Sequence, residues 1–370
     1  MNIPDLQAFI NLKHHLPAVG TWRSSVHVFD ERSAQAIRAA LAAGRPLLVR
    51  GDPGTGKSQL ARAAAKVLGR KFLAQVVDAH TEIQDLWYRF DAVSRLGNAQ
   101  VLSITGKDKD VDEELKPGHY LSPGILWWAF AWDRAAEHSC KHPLFKPDAN
   151  DPGDVQKGVV LLLDEIDKAD ADLPNSLLET LDNGKFTVPW IHDTVGVELG
   201  SHIPRPLVVI TTNEDRQLPG AFVRRCLVLD LSLPESESAL QRYLQERAAL
   251  HFPAQEPAGD SSEPLERDSK GILKAKSRFD DGVLTKVARQ LYQDRLAAQA
   301  LGVTPPGQAE YLDVLRVLDE LVPQDKARQL ELLETIQAFA LKKYPGMQKP
   351  QAPQPDEGDS GGSEIGLEDN

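Results

Sequence analysis

The sequence predicts an α/β protein: a mostly parallel five-stranded sheet flanked by helices, followed by an all-helical unit. Three observations carry this prediction. Between residues 30 and 232, short apolar runs of β type alternate with runs of helical period. The β-type runs are continuous rather than alternating, as strands covered on both faces require. After residue 232 the strand pattern stops and only helical periods remain.

In chain order, residues 31–43 read as a helix stopped by Gly44, and 46–49 as a strand. Residues 58–68 read as a helix with Leu60, Ala64, Val67 and Leu68 on one face and Gly69 as its stop. Runs at 72–77, 159–163, 207–212 and 227–231 supply four more strands, and the helices between them are the crossovers of a parallel sheet. The second unit consists of helical stretches at 235–251, 279–301, 308–322 and 325–343, punctuated by Pro305, Pro306 and Pro323. The chain thus divides into an N-terminal extension (1–24), an α/β domain (25–232), a helical domain (233–345) and a tail (346–370). The tail is rich in Pro, Gly, Gln and acids with little to bury, which predicts disorder. Residues 252–271 share that composition and read as a mobile loop within the helical domain.

With 370 residues the chain holds two or three domains of about 100–200 residues each, large enough to need no crosslinks. Its two cysteines, Cys140 and Cys226, form neither a disulfide framework nor a C-x-x-C metal spacing, which points to a reducing cytoplasm. The opening MNIPDLQAFI has no basic start followed by an apolar run. The longest strongly apolar run, 159–163, is far below the ~20 residues that span a bilayer. No membrane association is expected. The net charge of −12 is concentrated in the tail (six acids, one lysine) and in 252–269 (five acids, one arginine). The body is close to neutral and lacks the basic excess of a phosphate-backbone binder, so nucleic acid is a minor hypothesis.

Gly51-Asp52-Pro53-Gly54-Thr55-Gly56-Lys57-Ser58 satisfies G-x-x-x-x-G-K-[ST] at every fixed position, between a strand and a helix. Such a loop, with Gln59 following it, turns successive N–H groups and a helix N-terminus toward phosphate. Lys57 places a charge at the β- and γ-phosphates, and the Ser58 hydroxyl is a ligand for Mg²⁺. About one hundred residues later the run 159–163 ends in Asp164 and Glu165, the pattern of a Walker B element. Asp164 would hold Mg²⁺ through water, and Glu165 would polarise an attacking water. Of the acids that follow, Asp167, Asp170 and Asp172 read as solvated or capping, with Asp172 as an N-cap before Leu173-Pro174. Asn213, at the polar end of LVVITTN, either orients a water beside Asp164 or simply forms a turn. Arg224 and Arg225 close a helical stretch just before the last strand. They suit a finger offered to a neighbour's γ-phosphate, a device worth about 10³–10⁵ in rate in phosphoryl transfer. Trp127, Trp128, Phe130 and Trp132 read as core packing, with a client contact surface as the alternative. His138, Cys140 and His142 alternate in a polar loop without a fourth ligand at zinc spacing.

These elements, in this order, resemble the AAA+ ATPases over roughly residues 25–345. LLLDEIDKADADLPNSLLETLDNGKFTVP, ITTNEDRQLPGAFVRRC, TEIQDLWYRF and YLSPGILWWAF are similar to the MoxR and dynein-related branch. The resemblance implies a P-loop AAA+ core with a helical lid and a ring, usually a hexamer, that binds Mg-ATP at its interfaces and remodels a client protein. It implies that Arg225, or else Arg224, acts in trans, that Asn213 is sensor 1, and that Thr81 lies near the residue gating Glu165. The chain departs from the branch in the lid. Thr304-Pro305-Pro306-Gly307-Gln308-Ala309-Glu310-Tyr311 lacks the usual arginine, and Arg316 stands two turns on, about 10 Å along a helix from Gln308. Two other functions fit less closely: a nucleotide-gated scaffold with slow hydrolysis, and a GTP-using nucleic-acid motor subunit like McrB, suggested by Asn213-Glu214-Asp215-Arg216.

Overall fold

The computed structural model describes residues 5–105, 111–197, 203–254, 263–268 and 273–341. The tail read over 346–370 and much of the loop read over 252–271 lie outside those residues. Five strands form the central sheet: β1 (Leu47–Arg50), β2 (Lys71–Val76), β3 (Val159–Asp164), β4 (Leu207–Thr212) and β5 (Leu227–Asp230). All pairs are parallel and the order is β5-β1-β4-β3-β2. Each strand lies within one residue of the stretch the sequence predicts.

The continuous apolar runs have the expected cause. On β3, Leu161 and Leu163 face one core together with Leu48, Leu73, Val208 and Ile210. Val160 and Leu162 face a second core with Leu47, Val49, Leu207 and Val209. The second core is closed by helices α1 (Glu31–Ala43) and α2 (Lys57–Leu68). At the start of α1, the Ser33 N–H donates to the Asp30 carboxylate at 2.7 Å, and α1 and α2 end on left-handed Gly44 and Gly69. The first core is closed by helix α3 (Asp172–Asn183) and by an insert between β2 and β3. In the insert, Tyr88–Phe90 pairs antiparallel with Leu121–Pro123, and Ile125–Phe130 buries Trp127 and Trp128. These two tryptophans are core, so the client-surface alternative does not hold for them. Asp172 is not the N-cap of α3: the helix begins one residue earlier than read, Ala171 takes that place, and Asp172 opens the first turn, where its charge still suits the helix dipole.

The described part of the N-terminal extension is packed. Leu6 and Leu16 enter the second core, and Leu12–Leu16 pairs with both Ser25–His27 and the distant Glu263–Pro264. The helical unit consists of α4 (Glu237–His251), α5 (Asp281–Ala300), α6 (Gln308–Leu321) and α7 (Lys326–Ala340) around its own core of Leu240, Leu244, Val287, Leu291, Tyr311 and Leu315. Among the described residues, no helix is long and apolar enough to cross a membrane.

Candidate functional site

The carboxyl ends of β1, β3 and β4 meet the helical unit around a cleft of about 430 Å³, lined by Pro53, Gly54, Gly56, Lys57, Ser58 and Gln59, by Asp164, Glu165, Thr211 and Asn213, and by Gln308, Leu312 and Arg316. The loop between β1 and α2 runs through positive φ at Gly51 (133°), Gly54 (74°) and Gly56 (92°). At Gly51 a Cβ would come within 2.5 Å of the Leu231 carbonyl oxygen, so both conformation and space demand glycine there. Gly56 is the N-cap of α2 and provides no side-chain cap, which leaves the first N–H groups of the helix to an outside acceptor. The Thr55 hydroxyl donates to the Asp52 carbonyl at 2.9 Å and tightens the turn. The Lys57 ammonium is buried and donates to the carbonyls of Gly51 at 2.7 Å and Asp52 at 2.9 Å. Burial lowers its pKa, and the charges of Asp164 and Asp52 oppose that shift.

The acids at the end of β3 are held from both sides. The Ser58 hydroxyl lies 2.8 and 3.0 Å from the two Asp164 oxygens, and the Thr211 hydroxyl donates to Asp164 Oδ1 at 2.5 Å. Glu165 takes a left-handed conformation (φ 62°), and its N–H donates to Thr211 Oγ1 at 2.9 Å. The Glu165 carboxylate accepts from Lys168 Nζ at 2.5 Å and from Asn213 Nδ2 at 3.4 Å. The Lys168–Glu165 bond raises the Lys168 pKa. The sequence thus brings Glu165, Asn213, Asp164 and Ser58 to one place. Asp167 corrects the expectation of a solvated acid: it is 2% exposed, and its Oδ2 accepts the Asp215 N–H at 2.9 Å. The turn at Glu165 folds the residues that follow back against the exit of β4. Among the described residues no group of three His, Cys, Asp or Glu is placed to hold a metal, His138, Cys140 and His142 included. Ser58 and Asp164 offer a hydroxyl and a carboxylate side by side, which fits a hard cation that takes one or two protein ligands and completes its shell with phosphate and water.

Residues 46–226 match the family model for the AAA domain of the dynein-related subfamily. A solved structure from Cytophaga hutchinsonii, named as a "putative ATPase", has a TM-score of 0.32 and 12% sequence identity, covering 81% of this chain and 78% of that one. No curated protein matches the chain.

Outside the cleft, Arg225 pairs with Asp182 of α3 at 2.7 Å, and Arg45 grips the end of the Gly220–Arg225 helix through the carbonyls of Arg224 at 2.5 Å and Arg225 at 3.0 Å. Neither Arg224 nor Arg225 lines the cleft. Thr81 bonds Asp78, with its hydroxyl 2.8 Å from Oδ1, while the partners of Glu165 are Lys168, Asn213 and Thr211. Arg316, which also pairs with Asp313, reaches the cleft despite its distance along α6 from Gln308. Sequence reasoning passed over Thr211, Lys168 and Arg295. Thr211 was legible as the one hydroxyl on β4 placed in register to reach β3. Lys168 was legible as a cation three residues past Glu165. Arg295 carried no local signal.

Proposed function

We propose that the AAA domain binds and hydrolyses Mg-ATP in this cleft. The observation that carries the reading is the convergence of Ser58 and Thr211 on Asp164, beside Glu165 and at the mouth of the Gly51–Ser58 loop. In this reading the loop N–H groups and Lys57 bind the phosphates, and Ser58 and Asp164 hold Mg²⁺. When bound, Mg²⁺ neutralises charge on the β- and γ-phosphates. Glu165 takes the proton of the attacking water, and Asn213, bonded to Glu165, orients that water. Lys57 is pre-bent toward the loop carbonyls and exchanges them for phosphate oxygens.

The reading includes a cytoplasmic ring, a hexamer by resemblance to the MoxR branch, in which Arg225 or Arg224 completes the site of a neighbouring subunit. The position of both arginines away from their own cleft supports this. A client protein remodelled by the ring belongs to the same proposal. The test is complementation. Lys57→Ala protein lacks ATP binding, Arg225→Ala protein binds ATP without hydrolysing it, and mixing them restores turnover at interfaces that combine an intact loop with an intact finger. Unchanged ATP affinity in Lys57→Ala by calorimetry would refute the phosphate site. Full activity in Arg225→Ala would move the finger to Arg224; full activity with both arginines replaced by alanine, or in a protein that sediments as a monomer with ATP, would refute the shared site.

A further inference from the structure

The phosphate loop contains an acid. Asp52 follows Gly51, in a loop read as a binder of polyphosphate, where a carboxylate repels the ligand unless its charge is cancelled. Lys57 does not pair with it, since its ammonium is bonded to main-chain carbonyls. The counter-charge comes from 243 positions away: Arg295 of α5 donates through Nη2 to Asp52 Oδ2 at 2.6 Å and through Nη1 to the Pro306 carbonyl at 2.7 Å. The Arg295 side chain is 10% exposed and that of Asp52 31%. Two glycine contacts press the same surfaces together. A Cβ at Gly307 would lie 2.4 Å from the Pro53 carbonyl oxygen, and one at Gly54 would lie 2.6 Å from Ala309 Cβ. The helical unit is therefore seated on the phosphate loop, with a buried guanidinium reaching the loop's one carboxylate.

We propose that Arg295 is a positioning residue for phosphate binding: carried to the loop by the helical unit, it neutralises Asp52, so affinity for a polyphosphate depends on that charge being cancelled. The inference rests on the ATP-binding reading above. It supplies a link between lid and phosphate loop that needs no arginine in the stretch 304–311.

The experiment is calorimetric titration of ATP and ADP into wild type, Arg295→Met, Asp52→Asn and the double variant, at low and high salt. Arg295→Met uncovers the Asp52 charge and weakens ATP binding about ten-fold or more, less so at high salt. Adding Asp52→Asn removes that charge and returns the affinity to within about three-fold of wild type. A packing role alone would leave the double variant as weak as Arg295→Met and insensitive to salt, which would overturn the proposal. Should Arg295→Met fail to fold, Asp52→Asn decides, because it keeps the Arg295 bond to Pro306. It binds ATP as tightly as wild type or more so, and weaker binding overturns the proposal. Wild type that binds ATP alongside an Arg295→Met protein of equal affinity would sink this inference and spare the ATP reading. Wild type that binds no ATP would sink both.

Discussion

Replacing Thr211 with valine tests how the acidic end of β3 is held. Thr211 is 1% exposed, and its hydroxyl both donates to Asp164 and accepts from the Glu165 N–H. A hydrogen bond to a charged group contributes about 1.5–3 kcal/mol, and an N–H left without its acceptor costs about 1–3 kcal/mol. The two losses run through one hydroxyl and do not add in full, so a net destabilisation of ~2–4 kcal/mol is expected. At roughly 2–4 °C per kcal/mol for a domain of this size, the melting temperature falls by about 5–15 °C. Urea unfolding followed by far-UV circular dichroism measures the change directly. Thr211→Ser is the control: it keeps the hydroxyl and loses one methyl, at a cost of about 1 kcal/mol. Valine and serine variants of equal stability would refute the hydrogen-bonding account and leave only packing.

Glu165→Gln retains ATP binding and loses turnover, because an amide keeps the shape and accepts no proton; steady-state hydrolysis within a few-fold of wild type would remove Glu165 from the role of base. His27 Nε2 is sealed without a hydrogen-bond partner among the described residues, and burial lowers the His27 pKa from 6.5 to about 3, with Arg247, His14 and His251 pushing the same way. The folded value lies below the unfolded one, so stability is complete above about pH 6.5 and is lost toward pH 3, at up to about 1.4 kcal/mol per pH unit. His27→Gln flattens this limb in unfolding curves taken across that range; an unchanged limb would assign the acid sensitivity elsewhere. Cys226 is 7% exposed and burial pushes its thiol up to about 12, so in a Cys140→Ser protein it reacts with Ellman's reagent only on unfolding, and prompt labelling of that protein in its native state would contradict the packing of Cys226.

The five central strands were legible because each is buried on both faces and so reads as an unbroken apolar run. The short pairs were not. Tyr88–Phe90 with Leu121–Pro123, and Leu12–Leu16 with Glu263–Pro264, consist of a few mixed residues whose partners lie far along the chain. The loop, the two acids and Asn213 were legible because their spacing is local and their chemistry is tied to strand ends. Asp167 misled because its burial depends on the left-handed turn at Glu165, which composition does not show. Arg295 was invisible for a related reason: its partner, Asp52, is a local neighbour only after α5 docks on the loop.

The strand order also sets a timetable for synthesis. β1 leads into the Gly51–Ser58 loop, and among the described residues its neighbours in the central sheet are β4 and β5. Leu207 emerges from the ribosome about 160 residues after Leu47, which at ~5–20 residues per second is a wait of roughly 8–32 s. During that interval β1 has no neighbouring strand to pair with, although α2 already has β3 to pack on. A chain released before residue 207 carries the whole G-x-x-x-x-G-K-S motif in its sequence yet lacks β4, the strand that joins β1 to the paired β3 and β2.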